Sequence, residues 1–469
     1  MKIIENVKRR HFLIGSAGTM VAAAVGAPGM AQSDGEPLPD YVAWKDAEDM
    51  IVHSKQTLET KRAAQGSELI TPSTELYIRN NLPAPPDEIV ADRDAWEVEI
   101  DGVANPGKMT VGEMKTLAVE TVVCVLQCSG NGRAFFDHET SGSQWSVGAA
   151  GNVVWTGVPV RAVIDAMGGA NAGAVFLTGT GGEEIPEGLP PETIQVERSV
   201  PKAAMDQAIL AWEMNGEPLP LAHGGPLRLV IPGYYGVNNV KYLKRLAMTA
   251  EESPNKIQQT GYRVRSVGVK GDPSQPSMYE MAVKSWITGP LMDAATGKVQ
   301  VHGVAMGGVS GLDKIEVSTD GGQNWAEAQF LGPDLGPYAW RPFVLITELS
   351  EGTHMLASRA TNEAGVTQPE FFPPNERGYG NNGWRAHQIG EQCRREREEQ
   401  PRQRDRHRQR EQDPAVERDR GFVGLALAQP ARGHRLHAAR EPGDKGCRHE
   451  RREATDPHRR EGVIPEVTD

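Results

Sequence analysis

Leu126-Gln-Cys-Ser-Gly-Asn-Gly-Arg133 is the densest chemical cluster in this 469-residue chain. The β-branched run Thr121-Val-Val-Cys-Val before it predicts a strand, and the glycines within it predict a turn. Cys128 should therefore stand at a strand end where backbone can approach a ligand closely. A free cysteine is more often a small buried hydrophobe than a ligand. Two features point the other way. Arg133, downstream, would favour thiolate over thiol, and a single thiolate on a soft metal takes its remaining ligands from outside the chain. A zinc site cannot be assembled, because no second clustered pair of Cys or His exists. The other cysteines, at 124, 393 and 447, are too few for a disulfide framework. Cys124 and Cys128 would lie roughly 13 Å apart along a strand, beyond the reach of a disulfide. There is no Cys-x-x-Cys-His, so no covalently attached haem is expected on this chain.

Working outward, residues 76–255 alternate short apolar segments (Trp96 to Ile100, Val175 to Leu177, Leu227 to Ile231) with helical stretches (Val111 to Leu117, Val160 to Met167), which predicts a mixed α+β domain. Residues 266–387 carry the strand patterns Val299 to Val304, Lys314 to Ser318, Ala326 to Phe330 and His354 to Ala360. Ser318-Thr-Asp-Gly-Gly322 forms a hairpin turn among them, and the expectation is a β-sandwich. Residues 32–75 are polar with scattered apolar positions and read as an extended lead-in. Residues 388–469 are Arg-rich and nearly free of Lys, a composition that cannot bury a core and predicts disorder. The tail reads as an anion-binding arm or, preferably, as the product of a shifted reading frame.

Residues 1–31 read as an export signal. Lys8-Arg9-Arg10-His11-Phe12-Leu13 leads into a small, apolar run, and Gly29-Met30-Ala31 offers a cleavage site. Paired arginines resemble the twin-arginine type, which exports folded proteins to the periplasm, often with a cofactor already inserted. No later stretch is long and apolar enough for a membrane span. The net charge of −12 excludes general nucleic-acid binding.

Over residues 75 to 387 the sequence resembles the sulfite oxidase family of molybdenum-pterin enzymes. The motifs that carry the resemblance are Tyr77-Ile-Arg-Asn-Asn81, Leu126-Gln-Cys-Ser-Gly-Asn131, Trp145-Ser-Val-Gly-Ala149, Glu213-Met-Asn-Gly-Glu-Pro-Leu219, His223-Gly-Gly-Pro-Leu-Arg228, Pro232-Gly-Tyr-Tyr-Gly-Val-Asn-Asn-Val-Lys241 and Asn375-Glu-Arg-Gly378, in the family's order. The resemblance implies a molybdopterin domain followed by an immunoglobulin-like β-sandwich that dimerises. It implies molybdenum–molybdopterin as cofactor, with Cys128 as the metal's protein ligand. His223, Arg228 and Lys241 match positions that hold the pterin and its phosphate, a role suited to cationic donors. Arg79, Arg133 and Arg377 match a basic pocket beside the metal, lined by Trp145 and Tyr262. Asn81 stands where the family has a pterin-contacting histidine. The family's closing strand, after Gly383-Trp-Arg-Ala-His387, is replaced here, so the second domain is expected to lack an edge strand.

Within the family, the paired arginines, Glu197-Arg-Ser-Val-Pro201 and Pro232 to Arg245 look most like the molybdenum subunit of the periplasmic sulfane dehydrogenases. That likeness implies oxidation of sulfane sulfur held on a carrier protein's cysteine. Water would supply oxygen, molybdenum would cycle between Mo(VI) and Mo(IV), and electrons would pass to a cytochrome c subunit, the two chains forming a heterotetramer or this subunit a homodimer. A periplasmic sulfite dehydrogenase is the alternative reading. A binding module that keeps the fold without redox chemistry is a third, and a metal assay separates it from both enzymes.

Overall fold

The computed structural model describes residues 37–83, 85–292 and 298–393. The export-signal reading of residues 1–31 and the tail beyond residue 393 lie outside them. The molecule is strand-rich, and its helices are short. Two five-stranded sheets build the first domain. One runs in the order Glu217–Pro218, Ile209–Met214, Ala150–Pro159, Glu120–Gln127, with Arg228–Val230 also pairing with Ile209–Met214. The other runs Gly107–Thr110, Glu97–Asp101, Leu243–Thr249, Phe176–Gly181, Glu197–Pro201, with one parallel pair, Leu243–Thr249 on Glu97–Asp101. The second sheet packs on the helix Val160–Ala166 through a core that includes Val98, Ile100, Val163, Ile164, Leu177 and Leu246. The helix expected over Val111 to Leu117 is a single turn, Val111–Met114. Thr110 and Glu113 cap it reciprocally as a capping box.

The segment read as an extended lead-in is folded. Met50–Ser54 and Thr57–Thr60 form an antiparallel hairpin, and Ile78–Arg79 adds a third strand across what was expected to be the boundary at residue 75. Polar side chains hold it. The buried Glu59 carboxylate accepts the Ser146 and Gly148 amides, both at 2.9 Å, and sits 2.7 Å from His53 Nε2. A Cβ at Gly148 would lie 1.8 Å from the Thr60 carbonyl oxygen, so only glycine lets these two segments meet.

The second domain is a sandwich of two four-stranded sheets. Lys284–Met292, Val299–Met306, Arg341–Thr347 and Gln329–Phe330 form one; Ala326–Glu327, Leu312–Ser318, Gly352–Asn362 and Ile389–Cys393 form the other. Val301, Ile315, Val317, Phe343 and Leu356 fill the space between them. Residues 326–330, expected as one strand, change sheets at the buried Ala328, whose amide still donates to Ile315. The edge strand expected to be missing is present: Ile389–Cys393 pairs antiparallel with Gly352–Asn362. No helix among the described residues is long and apolar enough to cross a membrane.

Candidate cofactor site

Cys128 follows directly on the strand Glu120–Gln127, and its amide makes one more ladder-like bond, to Ala149 O at 2.9 Å. The chain then turns: Asn131 N donates to Cys128 O at 3.0 Å and Arg133 N to Gly130 O at 2.8 Å. Gly132 takes φ +96°, and its position is hemmed in by His387 and Asn381. Asn131 locks the turn to its own strand, donating to Gln127 Oε1 at 3.1 Å and accepting the Ala149 amide at 3.2 Å. The rest of the turn is held by the second domain. Gly380 N donates to Ser129 O at 2.8 Å, Lys284 Nζ to Asn131 O at 2.9 Å, and Asn381 Nδ2 to Gly132 O at 3.0 Å. Arg133 Nε reaches back to Arg377 O at 2.8 Å.

Cys128 opens onto a half-open cavity. Of the residues singled out in the sequence, Arg79, Asn81, His223, Arg228, Lys241 and Tyr262 line it too. Arg377 lines an adjoining cavity that shares Asn81 and Ile257 with the first. Arg133 and Trp145 line neither. The Arg133 guanidinium, expected beside the metal, packs against Gly130 of the cysteine turn, donates to Arg377 O and Ser143 O, and lies 5.4 Å from the centre of the Tyr379 ring. Trp145 is buried behind the cavity wall, edge-on to Tyr77, which does line it. Tyr262 has a left-handed backbone (φ +49°), unusual for a bulky residue, and its ring stacks on Tyr379 at 5.2 Å.

One end of the cavity gathers cations. Lys241 Nζ donates to Asn80 Oδ1 and Ala222 O, both at 2.6 Å. Arg228 donates from Nε to Asn239 O and from Nη1 to His223 O. Lys45 Nζ donates to Ser73 O and Leu76 O and lies 3.0 Å from His223 Nε2. Three acceptors around one ammonium favour the charged lysine, which makes Nε2 the acceptor and places the imidazole proton on Nδ1. Burial pushes Lys45, Lys241 and His223 well below their ordinary pKa values, and His223 and Lys241 are pushed further by neighbouring cations. Arg228 is lowered to about 10 by burial.

Such a cluster is costly unless an anion joins it. Ser129 Oγ, Tyr242 Oη and Glu183 Oε2, all on lining residues, are buried with no hydrogen-bond partner among the described residues. No group of three or more His, Cys, Asp or Glu among the described residues could hold a metal with protein ligands alone. A metal on Cys128 therefore brings its other ligands with it. The cavity fits a large anionic group carrying both polar edges and a phosphate, as molybdopterin does.

The sequence reading missed Lys45, Asn80, Tyr77, Glu183 and Tyr242. Asn80 and Tyr77 lay inside a quoted motif; Lys45 and Glu183 had no local signal. Glu183 provides a test of the cavity's electrostatics. Burial pushes its carboxyl up to about 7, with Lys241 and Arg79 pulling the other way. Its folded pKa lies above the ordinary 4.5, so the metal-free folded protein holds an extra proton between pH 4.5 and 7 and loses stability as pH rises through that window. Metal-free Glu183→Gln should gain stability relative to metal-free wild type by up to ~3 kcal/mol from pH 4.5 to 7 and no further above it. Urea titrations read this directly, and a pH-independent difference would show that Glu183 is not held in this way.

The comparisons agree with this geometry. Residues 83–257 match the oxidoreductase molybdopterin-binding domain and residues 275–392 the Mo-co oxidoreductase dimerisation domain. The protein is thus a molybdopterin-dependent oxidoreductase with a C-terminal domain of the dimerising kind. It is 31% identical to sulfite oxidase of Arabidopsis thaliana over 357 residues, covering 70% of this chain and 89% of that one. It is 30% identical to sulfite oxidase of Gallus gallus over 338 residues, covering 67% and 72%. The chain belongs to the sulfite oxidase family and acts on sulfur compounds. Among solved structures it is similar to the sulfane dehydrogenase SoxCD of Paracoccus pantotrophus, with a TM-score of 0.62 and 25% identity over 77% of this chain and 92% of that one.

Proposed function

We propose that this chain is the molybdenum subunit of a periplasmic sulfane dehydrogenase. It oxidises sulfane sulfur carried on a protein's cysteine and passes the electrons to a cytochrome c subunit. The observation that carries the reading is the second cavity. It gives an anionic substrate an approach of its own beside the cofactor cavity, lined by Arg377, Lys256 and Arg265. Such a basic approach suits a carrier's extended arm ending in an anionic sulfur group. The likeness to the sulfane dehydrogenase SoxCD supports the same choice.

In this reading Cys128 holds the metal, and His223, Arg228 and Lys241 hold the pterin and its phosphate. When bound, the molybdenum pterin supplies two-electron oxygen-atom transfer to sulfur. The chain's own residues bind and orient. Asn81 spans both cavities, anchored through Nδ2 to Ile194 O at 2.9 Å, and its Oδ1 receives Arg79 at 3.4 Å, so Arg79 is held facing the place where the cavities meet. Arg79 and Arg377 attract and orient an anionic substrate from the two sides, and Tyr262 offers a phenol to the developing oxyanion.

With its cytochrome partner present, the holoenzyme should oxidise sulfane sulfur on a thiosulfate-loaded carrier with kcat/KM at least tenfold above that for free sulfite. Docking of the carrier outside the cavity contributes binding energy that a free ion cannot. Fast, saturable turnover of free sulfite with no response to the loaded carrier would overturn this reading in favour of a sulfite dehydrogenase.

A further inference from the structure

Electrons released at the cofactor need a way out to a protein acceptor, and the fold places an exposed tryptophan against a residue of the cavity wall. Trp44 is 41% exposed, and its ring stands edge-on to the His223 imidazole, with centroids 6.0 Å apart. His223 lines the cofactor cavity but not the adjoining one. An exposed tryptophan is an apolar anchor of the kind that dominates protein interfaces. A π-system here also shortens the gap that an electron must cross between cavity and surface.

The surroundings of Trp44 are acidic. From residue 37 to residue 50 the chain carries Asp40, Asp46, Glu48 and Asp49 against a single cation, Lys45. Lys45 is buried, with its ammonium turned inward onto Ser73, Leu76 and His223. Glu68 belongs to the same field, since with Asp49 and Asp46 it acts on Glu75, whose own carboxyl is pushed up to about 7, chiefly by burial. Two cations stand at its border, Lys55 at the hairpin turn beside Tyr41 and Lys61, whose amide donates to Asp49 O at 2.7 Å. The adjoining cavity, where substrate enters in the reading above, is lined instead by Lys256, Arg265 and Arg377. Charge thus sorts the two visitors, an anionic substrate to one region and a cation to the other.

We propose that the surface around Trp44, rimmed by Asp40, Asp46 and Glu48, is the docking site of a basic haem protein that takes electrons from the cofactor by way of the His223–Trp44 contact. The proposal rests on the oxidoreductase reading given above. Adding one oxygen atom from water to a sulfur atom releases two electrons and two protons. The protons go to solvent. Each electron reduces one ferric haem to ferrous, so one turnover needs two such transfers.

The test uses the full-length holoenzyme, a basic mitochondrial-type cytochrome c as probe, and ferricyanide as a small acceptor that needs no docking surface. Wild type should bind the cytochrome at low ionic strength and lose it steeply with salt. The Asp40→Lys/Glu48→Lys variant should raise Kd at least tenfold and leave ferricyanide turnover unchanged. Trp44→Leu should lower the ratio of cytochrome rate to ferricyanide rate at least tenfold. A charge-reversed protein that binds and reduces the cytochrome as wild type does would overturn the docking site. Absence of sulfur oxidation even with ferricyanide would instead sink the functional reading, while the binding titration still reports on the surface.

Discussion

Cys128→Ser is expected to purify with under a tenth of the wild-type molybdenum, to lose all measurable turnover, and to keep its melting temperature close to that of metal-free wild type. Wild type should carry about one molybdenum per chain. A serine hydroxyl stays protonated at neutral pH and is a poor match for a soft metal, whereas a thiolate bonds it directly. The fold has no stake in the sulfur itself. The turn is fixed by the amide of Cys128 on Ala149 and by the bonds of Ser129, Asn131 and Gly132, none of which uses the side chain. Metal analysis together with a melting curve decides it. Full molybdenum with unchanged activity would show that the thiolate is not the ligand.

The second large effect belongs to Lys241. Lys241→Met should lower cofactor retention at least a hundredfold, read as molybdenum left after extended dialysis, while the metal-free protein melts no lower than metal-free wild type. The reason lies in the buried cations. Lys241 is fully enclosed, and Arg228, Arg79 and Lys45 all push its pKa down, so in the metal-free state its charge is a burden. In the loaded state the same charge faces an anion and becomes a large part of the binding energy. A Met side chain fills similar space without the charge. The two bonds to Asn80 and Ala222 are lost in both states, so they cancel in the comparison of retention. Retention equal to wild type would mean that the phosphate-holding charge sits elsewhere.

Much of the site was legible because its residues lie in short motifs whose backbone is shaped by glycine and proline. The strand before Cys128 was visible as a β-branched run. The turn after it was visible as glycines, one of which does take a positive φ. The direction of Arg133 was not legible. Past a left-handed Gly132, sequence distance from Cys128 says nothing about which way a side chain points, and Arg133 turns to the carbonyls of Arg377 and Ser143. The N-terminal hairpin was missed because the usual alternation is absent. Thr57, Leu58, Glu59 and Thr60 are all buried, and Glu59 is satisfied by amides 87 and 89 residues away, a long-range device that no window reveals. The strand Ile389–Cys393 was missed because Ile-Gly-Glu-Gln-Cys stands against an Arg-rich run. It forms an edge strand, where the partner Gly352–Asn362 supplies the pairing that composition does not announce.

The turn that carries Cys128 is completed by groups numbered 284, 377, 380 and 381, drawn from late in the chain. During translation the first domain emerges long before these groups exist. A chain still on the ribosome and shorter than this has the carbonyls of Ser129, Asn131 and Gly132 without their donors, and Cys128 on a turn held only from its own sheet, through Gln127 and Ala149. The cavity wall itself is encoded by the time Tyr262 is reached, so what the second domain adds is a fixed position for the cysteine turn. The order of manufacture is written into the hydrogen bonds: the cavity is encoded first and the clamp on its cysteine turn last.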